Sequence, residues 1–175
     1  MRTEEGRVRA TWSADDRYTD LVRRRGGELL RVAAMLVGNR HDAEDALQEA
    51  YIAVSRSWPT RLLGSSEAAA FAYLRTAVIR KAIDGIRRGG PTAELLDRAA
   101  DDPGLLQLEE DRAFFARLQD LPPQQRAVLV LRYYLDFDDR RIAGVLGISR
   151  TTVRSNAMRG LDKLRAALST PAEER

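Results

Sequence analysis

Thr151, Thr152, Ser155, Asn156, Met158 and Arg159 share one face of a helical wheel, with Arg154 at its edge. At about 100° per residue, Val153, Ala157, Leu161, Leu164 and Leu168 line the opposite face. Hydroxyls, an amide and guanidinium groups on an anchored helix can perform duplex recognition. Side-chain hydrogen bonds read base edges, and cations hold phosphates. Just upstream, Ile142, Ala143, Val145 and Leu146 supply the apolar side of a shorter helix, and Asp138 suits its N-cap. Gly147 suits the turn, because glycine accepts a positive φ without steric cost. Ser149 is placed to cap the second helix. Residues 138–165 therefore read as a helix-turn-helix. A plain amphipathic hairpin has the same periodicity; the glycine turn and the non-acidic outer face favour DNA.

Two further surfaces stand out. Between residues 42 and 57, Ala43, Ala46, Leu47, Ala50 and Val54 form the apolar stripe, and Asp45, Gln48, Glu49 and Ile52 lie opposite. An isoleucine within an acidic patch fits a protein interface, an apolar anchor inside a polar rim. Single exposed apolar residues are also ordinary, so spacing alone leaves both readings open. Between residues 67 and 88, Phe71, Leu74, Val78, Ala82 and Ile86 point inward, while Tyr73, Thr76, Arg80 and Arg87 point outward with Lys81 and Arg88 on the flanks. Cations that follow phosphates and a ring that stacks on a base suit single-stranded nucleic acid. The alternative is a solvated basic face. The intervening WPTRLLGSS, residues 58–66, reads as a loop in which Arg61 and Leu62 sit beside the basic helix. It fits two uses, holding an unstacked base or tucking Leu62 and Leu63 into the core.

Catalytic chemistry finds no constellation. His41 is the single histidine, read between two helices, and there is no cysteine. Asp136, Asp138 and Asp139 precede a helix, where capping and the helix dipole account for them. No Gly-rich phosphate loop or paired-histidine metal motif occurs. The expectation is no catalytic residue, no metal and no cofactor.

These surfaces need an all-α frame. Apolar spacing is helical almost throughout, and helices are expected over about 16–37, 42–57, 67–88, 109–119 and 124–135, followed by the helix-turn-helix. The expected organisation is a flexible N-terminus (1–15), a helical domain (16–90), a flexible acidic linker (91–108), a second helical domain (109–168) and a tail (169–175). Charge follows the same division. Residues 1–88 hold 16 basic and 12 acidic side chains, residues 89–111 one and seven, and residues 112–175 twelve and seven. Two basic blocks around an acidic segment suit a polyanion partner. No apolar run approaches a membrane span, and the expected location is cytoplasmic.

In this order and at these separations, three stretches resemble a bacterial RNA polymerase sigma factor of the extracytoplasmic-function group. DAEDALQEAY (42–51) resembles the core-polymerase-binding helix of region 2, YLRTAVIRKAIDGIRR (73–88) the −10-element helix, and residues 121–165 region 4. The resemblance implies that Asp45, Gln48, Glu49 and Ile52 dock on core polymerase. It implies −10 DNA binding by Arg61, Leu62, Tyr73, Thr76, Arg80, Arg87 and Arg88, with the 58–66 loop capturing a flipped non-template base. Thr151, Thr152, Arg154, Ser155, Asn156, Met158 and Arg159 would contact the −35 duplex. The acidic linker would thread polymerase channels, and an anti-sigma factor would cover these surfaces. The sequence departs from many relatives at Arg80, where they carry asparagine, at Tyr73, where they carry tryptophan, and at Asn156, where they carry a basic residue. Those departures bear on promoter preference. A stand-alone helix-turn-helix repressor would instead bind palindromic duplexes without polymerase, and a sigma mimic would bind a regulator without promoter specificity.

Overall fold

The computed structural model describes residues 14–61, 65–88 and 109–169, and among them every regular element is helical. The expected linker lies outside the described residues. So do the N-terminus and tail, apart from Ala14, Asp15 and Ser169, which lie in helices. Helix α1 is Ala14–Val37, α2 Arg40–Arg61 and α3 Glu67–Arg87. Helix α4 is Glu109–Gln119, α5 Pro123–Leu129, α6 Asp139–Leu146 and α7 Arg150–Ser169.

The first three helices pack on one another. Leu29, Val32, Ala33 and Leu36 of α1 meet Ala43, Ala50 and Val54 of α2 and Leu74, Val78 and Ala82 of α3, all buried. Gly38 ends α1 at φ 98°, and Asn39 opens α2. The Asn39 side chain accepts from the Asp42 amide at 2.8 Å and donates to its carboxylate at 2.8 Å. This cap starts α2 earlier than periodicity suggests, so His41 belongs to its first turn.

Helix α2 also ends later than expected. Trp58 is buried within it, and Pro59 lies in the helix rather than in a loop. An internal proline removes a backbone donor. The Trp58 ring compensates by packing 4.9 Å from Tyr18, whose hydroxyl donates to the Tyr51 carbonyl at 2.7 Å. Residues 58–61 are thus helical, which corrects the loop reading. The Arg61 side chain and Leu62 lie outside the described residues.

The second group of helices packs around Phe115, Leu118, Val128, Leu131, Ile142 and Val153. The helix expected to run to residue 135 changes form after Leu129 into one π-helical turn, Val130–Tyr134. This turn buries Val130 and Leu131 while exposing Tyr133 and Tyr134. Helix α7 crosses α5 at Gly160, where a β-carbon would lie 2.9 Å from Leu129 Cδ1. The two groups touch each other through α1 with α5 and α3 with α6.

Candidate nucleic-acid interface

The helix-turn-helix forms by local chemistry. The Asp138 carboxylate accepts from the Arg141 amide at 2.7 Å and caps α6. Gly147 takes the left-handed conformation at φ 62°. Ser149 Oγ accepts from the Thr152 amide at 3.0 Å and caps α7. Thr151, Arg154, Met158 and Arg159 then face solvent, and Thr152 and Ser155 are half-buried. The Ser155 hydroxyl donates to the Thr152 carbonyl at 3.1 Å, and the Ser149 and Thr152 hydroxyls share a bond of 2.8 Å. The outward chemistry is therefore carried by guanidinium groups, one free threonine and the methionine.

Asn156 is a correction. It is only 6% exposed, and its amide donates to Gln124 Oε1 at 3.2 Å and to the Thr152 carbonyl at 3.0 Å. It belongs to the seam between α7 and α5, not to the open face. The buried arc runs over Val153, Asn156, Ala157 and Gly160, rotated by about 50° from the stripe that hydrophobicity alone marks.

Asp139 has a role that composition did not reveal. Its carboxylate accepts from Arg154 Nε at 2.9 Å and from Arg132. These hydrogen bonds, that of Arg154 first, hold its carboxyl below the usual range. Asp139 thus aims Arg154, a charge-assisted contact that limits the rotamers open to a long side chain. The exposed Arg150 at the start of α7 adds a cation to the same end.

On α3, Tyr73 is 38% exposed and Arg80 is open to solvent. Thr76 is half-buried, and its hydroxyl donates to the Ala72 carbonyl at 2.8 Å. The remaining cations are engaged. Lys81 and Arg88 reach Glu49 at 3.1 and 3.7 Å, and Arg87 donates to the Leu146 carbonyl at the helix-turn-helix turn. The bond from Lys81, then the charges of Lys81 and Arg88, lowers the Glu49 pKa against its partial burial.

On α2, Asp45 and Gln48 are exposed, Glu49 is half-buried and Ile52 is 54% exposed. Ile52 points outward, where the spacing puts it. Glu49 faces both ways, bordering that patch and tying down two α3 cations. A cleft of about 440 Å³ lies beside it, lined by Asp45, Glu49, Lys81, Arg88, Gln119 and Arg126. Among the described residues no group of acidic or histidine side chains could hold a metal, and no helix is long and apolar enough to cross a membrane.

Comparison with known proteins agrees with this architecture. Residues 21–92 match the Sigma-70 region 2 family model and residues 111–164 the Sigma-70 region 4 model. The chain is 34% identical over 167 residues to the ECF RNA polymerase sigma factor SigE of Mycolicibacterium smegmatis, covering 90% of this chain and 63% of that protein. It is 34% identical over 158 residues to the RNA polymerase sigma-E factor of Streptomyces avermitilis, covering 87% and 86%. Among solved structures it resembles the extracytoplasmic function sigma factor SigJ of Mycobacterium tuberculosis, with a TM-score of 0.58, 29% identity and coverage of 88% and 54%. The sigma factor RpoE of Bartonella quintana, solved with the anti-sigma factor NepR, shares the fold at a TM-score of 0.53 and 20% identity, with coverage of 88% and 98%.

Proposed function

Given that this chain belongs to the extracytoplasmic-function group of the sigma-70 family, we propose how its three surfaces divide the work of an alternative sigma factor. As a member it binds core RNA polymerase and promoter DNA and directs transcription initiation. The residue assignments are our reading. Asp45, Gln48, Glu49 and Ile52 form the polymerase-docking patch. Tyr73, Arg80, Arg87 and Arg88 serve the −10 strand, Tyr73 by stacking and the arginines by phosphate contact. Thr151, Arg154, Met158 and Arg159 face the −35 major groove, with Arg150 added and Asn156 removed from the reading face.

The observation that carries the −35 assignment is the capped helix-turn-helix, with Arg154 fixed by Asp139 and Arg159 free on the open side. A cation at the edge of the helix suits phosphate, and one at the centre of the face suits a base edge. The chain performs no chemistry of its own in this reading and works in the cytoplasm. An anti-sigma factor restrains it, as NepR accompanies the RpoE relative.

Run-off transcription with purified core polymerase and a promoter library tests the assignment. Arg159→Ala is expected to relax preference at one or two −35 positions, a loss of about 1–3 kcal/mol of discrimination. Arg154→Ala is expected to weaken all promoters alike and flatten the salt dependence. Unchanged −35 preference in Arg159→Ala would reject this recognition face.

A further inference from the structure

Cations gather around two aromatic rings on the side of α3 away from Tyr73. The Arg25 guanidinium of α1 lies 4.0 Å from the Phe71 ring. That of Arg75, on α3, lies 5.6 Å from both Phe71 and Phe137. That of Arg141, on α6, lies 3.6 Å from Phe137. The rings attract cations through their quadrupoles but carry no charge to neutralise them. Arg25 pairs with Glu28 at 3.3 Å. Among the described residues no carboxylate lies within ion-pair distance of Arg75 or Arg141, and Arg75 feels Arg25 and Arg141 as like charges. The Nε atoms of Arg25 and Arg75 are buried and meet no acceptor. Buried donors, charged ones above all, are ordinarily matched.

An open cleft of about 640 Å³ adjoins this row, lined among others by Glu28, Arg31, Arg75, Tyr134 and Asp136. We propose that the cleft is a binding site for a small phosphate monoester, held as its dianion by Arg75 and Arg31 in the field of Arg25 and Arg141. Four guanidinium groups face two carboxylates here, those of Glu28 and Asp136, which leaves a surplus of two positive charges. A phosphate monoester carries about 1.5 to 2 negative charges at neutral pH, so it matches that surplus, whereas a phosphodiester carries one. Guanidinium forks also fit phosphate oxygens in pairs.

Side chains must supply the donors. Asp136 takes φ 53° after Leu135 in the right-handed region, a backbone sequence that can turn successive amides towards an anion. Here the Leu135 and Phe137 amides already donate to the Val130 and Leu131 carbonyls. Tyr134, 45% exposed in the cleft wall, offers a ring and a hydroxyl to whatever the phosphate is attached to. The cleft is of a size that suits small ligands. None of the residues named for it belongs to the surfaces assigned to polymerase or DNA, so the site can be measured without either.

Isothermal titration calorimetry of the full-length chain tests the site, with sodium chloride added to match ionic strength because screening alone changes weak ion binding. The probes are inorganic phosphate, adenosine monophosphate and dimethyl phosphate. The first two should bind saturably at one site per chain, and dimethyl phosphate at least about tenfold more weakly. Adenosine monophosphate binding tighter than phosphate assigns a nucleotide; equal affinity assigns free phosphate. Arg75→Met and Arg31→Met should each weaken binding at least about tenfold, the scale of one charge-assisted hydrogen bond. Lys163→Met, which removes an exposed cation on α7, should change nothing. If Arg75→Met does not fold, Arg31→Met decides. No saturable binding of phosphate or adenosine monophosphate overturns the site. So does binding that survives both arginine variants, falls equally in Lys163→Met, or is matched by dimethyl phosphate.

Discussion

Ile52 and Asn156 show how one side chain decides the use of a surface. Ile52 projects away from a stripe that is fully packed, so Ile52→Glu should leave the melting temperature nearly unchanged, within about 0.5 kcal/mol. Binding to core polymerase should weaken at least about tenfold, equivalent to about 1.4 kcal/mol, as read by titration of labelled protein into polymerase. Normal binding would remove the patch from the interface. Asn156 should behave in the opposite way. Asn156→Ala is expected to lower stability by about 0.5–1.5 kcal/mol, the net worth of its hydrogen bonds, since the exposed Gln124 can turn to water, while −35 preference in a promoter library stays as in wild type. A changed preference would return Asn156 to the reading face. Asp139 adds a pH signature. Its folded pKa lies below its unfolded value, so its contribution is complete above the unfolded pKa and is lost as pH falls through the folded one. The melting temperature of Asp139→Asn should therefore lie below wild type at neutral pH. The two should converge below about pH 4, the ordinary aspartate range.

Helices meet here at distances set by single residues. Gly160 lets α7 approach α5 until Leu129 leaves no room for a β-carbon, and Leu129 is itself buried. Gly160→Ala gains about 0.5–1 kcal/mol of helix propensity but overpacks the crossing by about 1–3 kcal/mol, so net destabilisation is expected. Gly27, in the interior of α1, has open space around its position. Gly27→Ala should stabilise by about 0.5–1 kcal/mol. Thermal melts of the pair test the argument, which fails if both variants shift in the same direction. At the next element, the π-helical turn buries Val130 and Leu131 while Tyr133 and Tyr134 turn to the surface. Met35 of α1, Phe114, Leu118 and Tyr133 border one apolar groove there.

At the scale of the whole molecule, the two helical groups meet across like charges. Arg75 and Arg141 face Phe137 from opposite groups. Burial, then the charge of Arg141, lowers the Arg75 pKa, with Glu28 opposing and Arg25 adding to the effect. Arg75→Met removes that repulsion and an unpartnered buried Nε while keeping an apolar stem beside Phe71 and Phe137. A net gain of about 0.5 kcal/mol is expected, in the range of partly exposed charge pairs, or about 1–2 °C in melting temperature for a chain of this size. A lower melting temperature in Arg75→Met would contradict a junction opposed by like charges.

The sequence by itself determined what local forces decide. An αL glycine, an Asp and a Ser cap and a 3.6-residue period act within a few residues, so the helix-turn-helix was legible, as were Ile52 facing outward and Tyr73 and Arg80 on the open side of α3. Tertiary structure decided what depends on a neighbour distant in the chain. A helical wheel gives each residue an angle but not the centre of the buried arc. Gln124 and Leu129 set that centre on α7 and drew Asn156 inside. Tyr18 kept Trp58 and the turn after it helical despite Pro59. Arg126 is buried because α1 ends against it and offers two carbonyls. The corrections at Asn156 and Trp58 arise where a contact between residues 30 or more apart outweighs a local preference worth only tenths of a kcal/mol to about 1 kcal/mol.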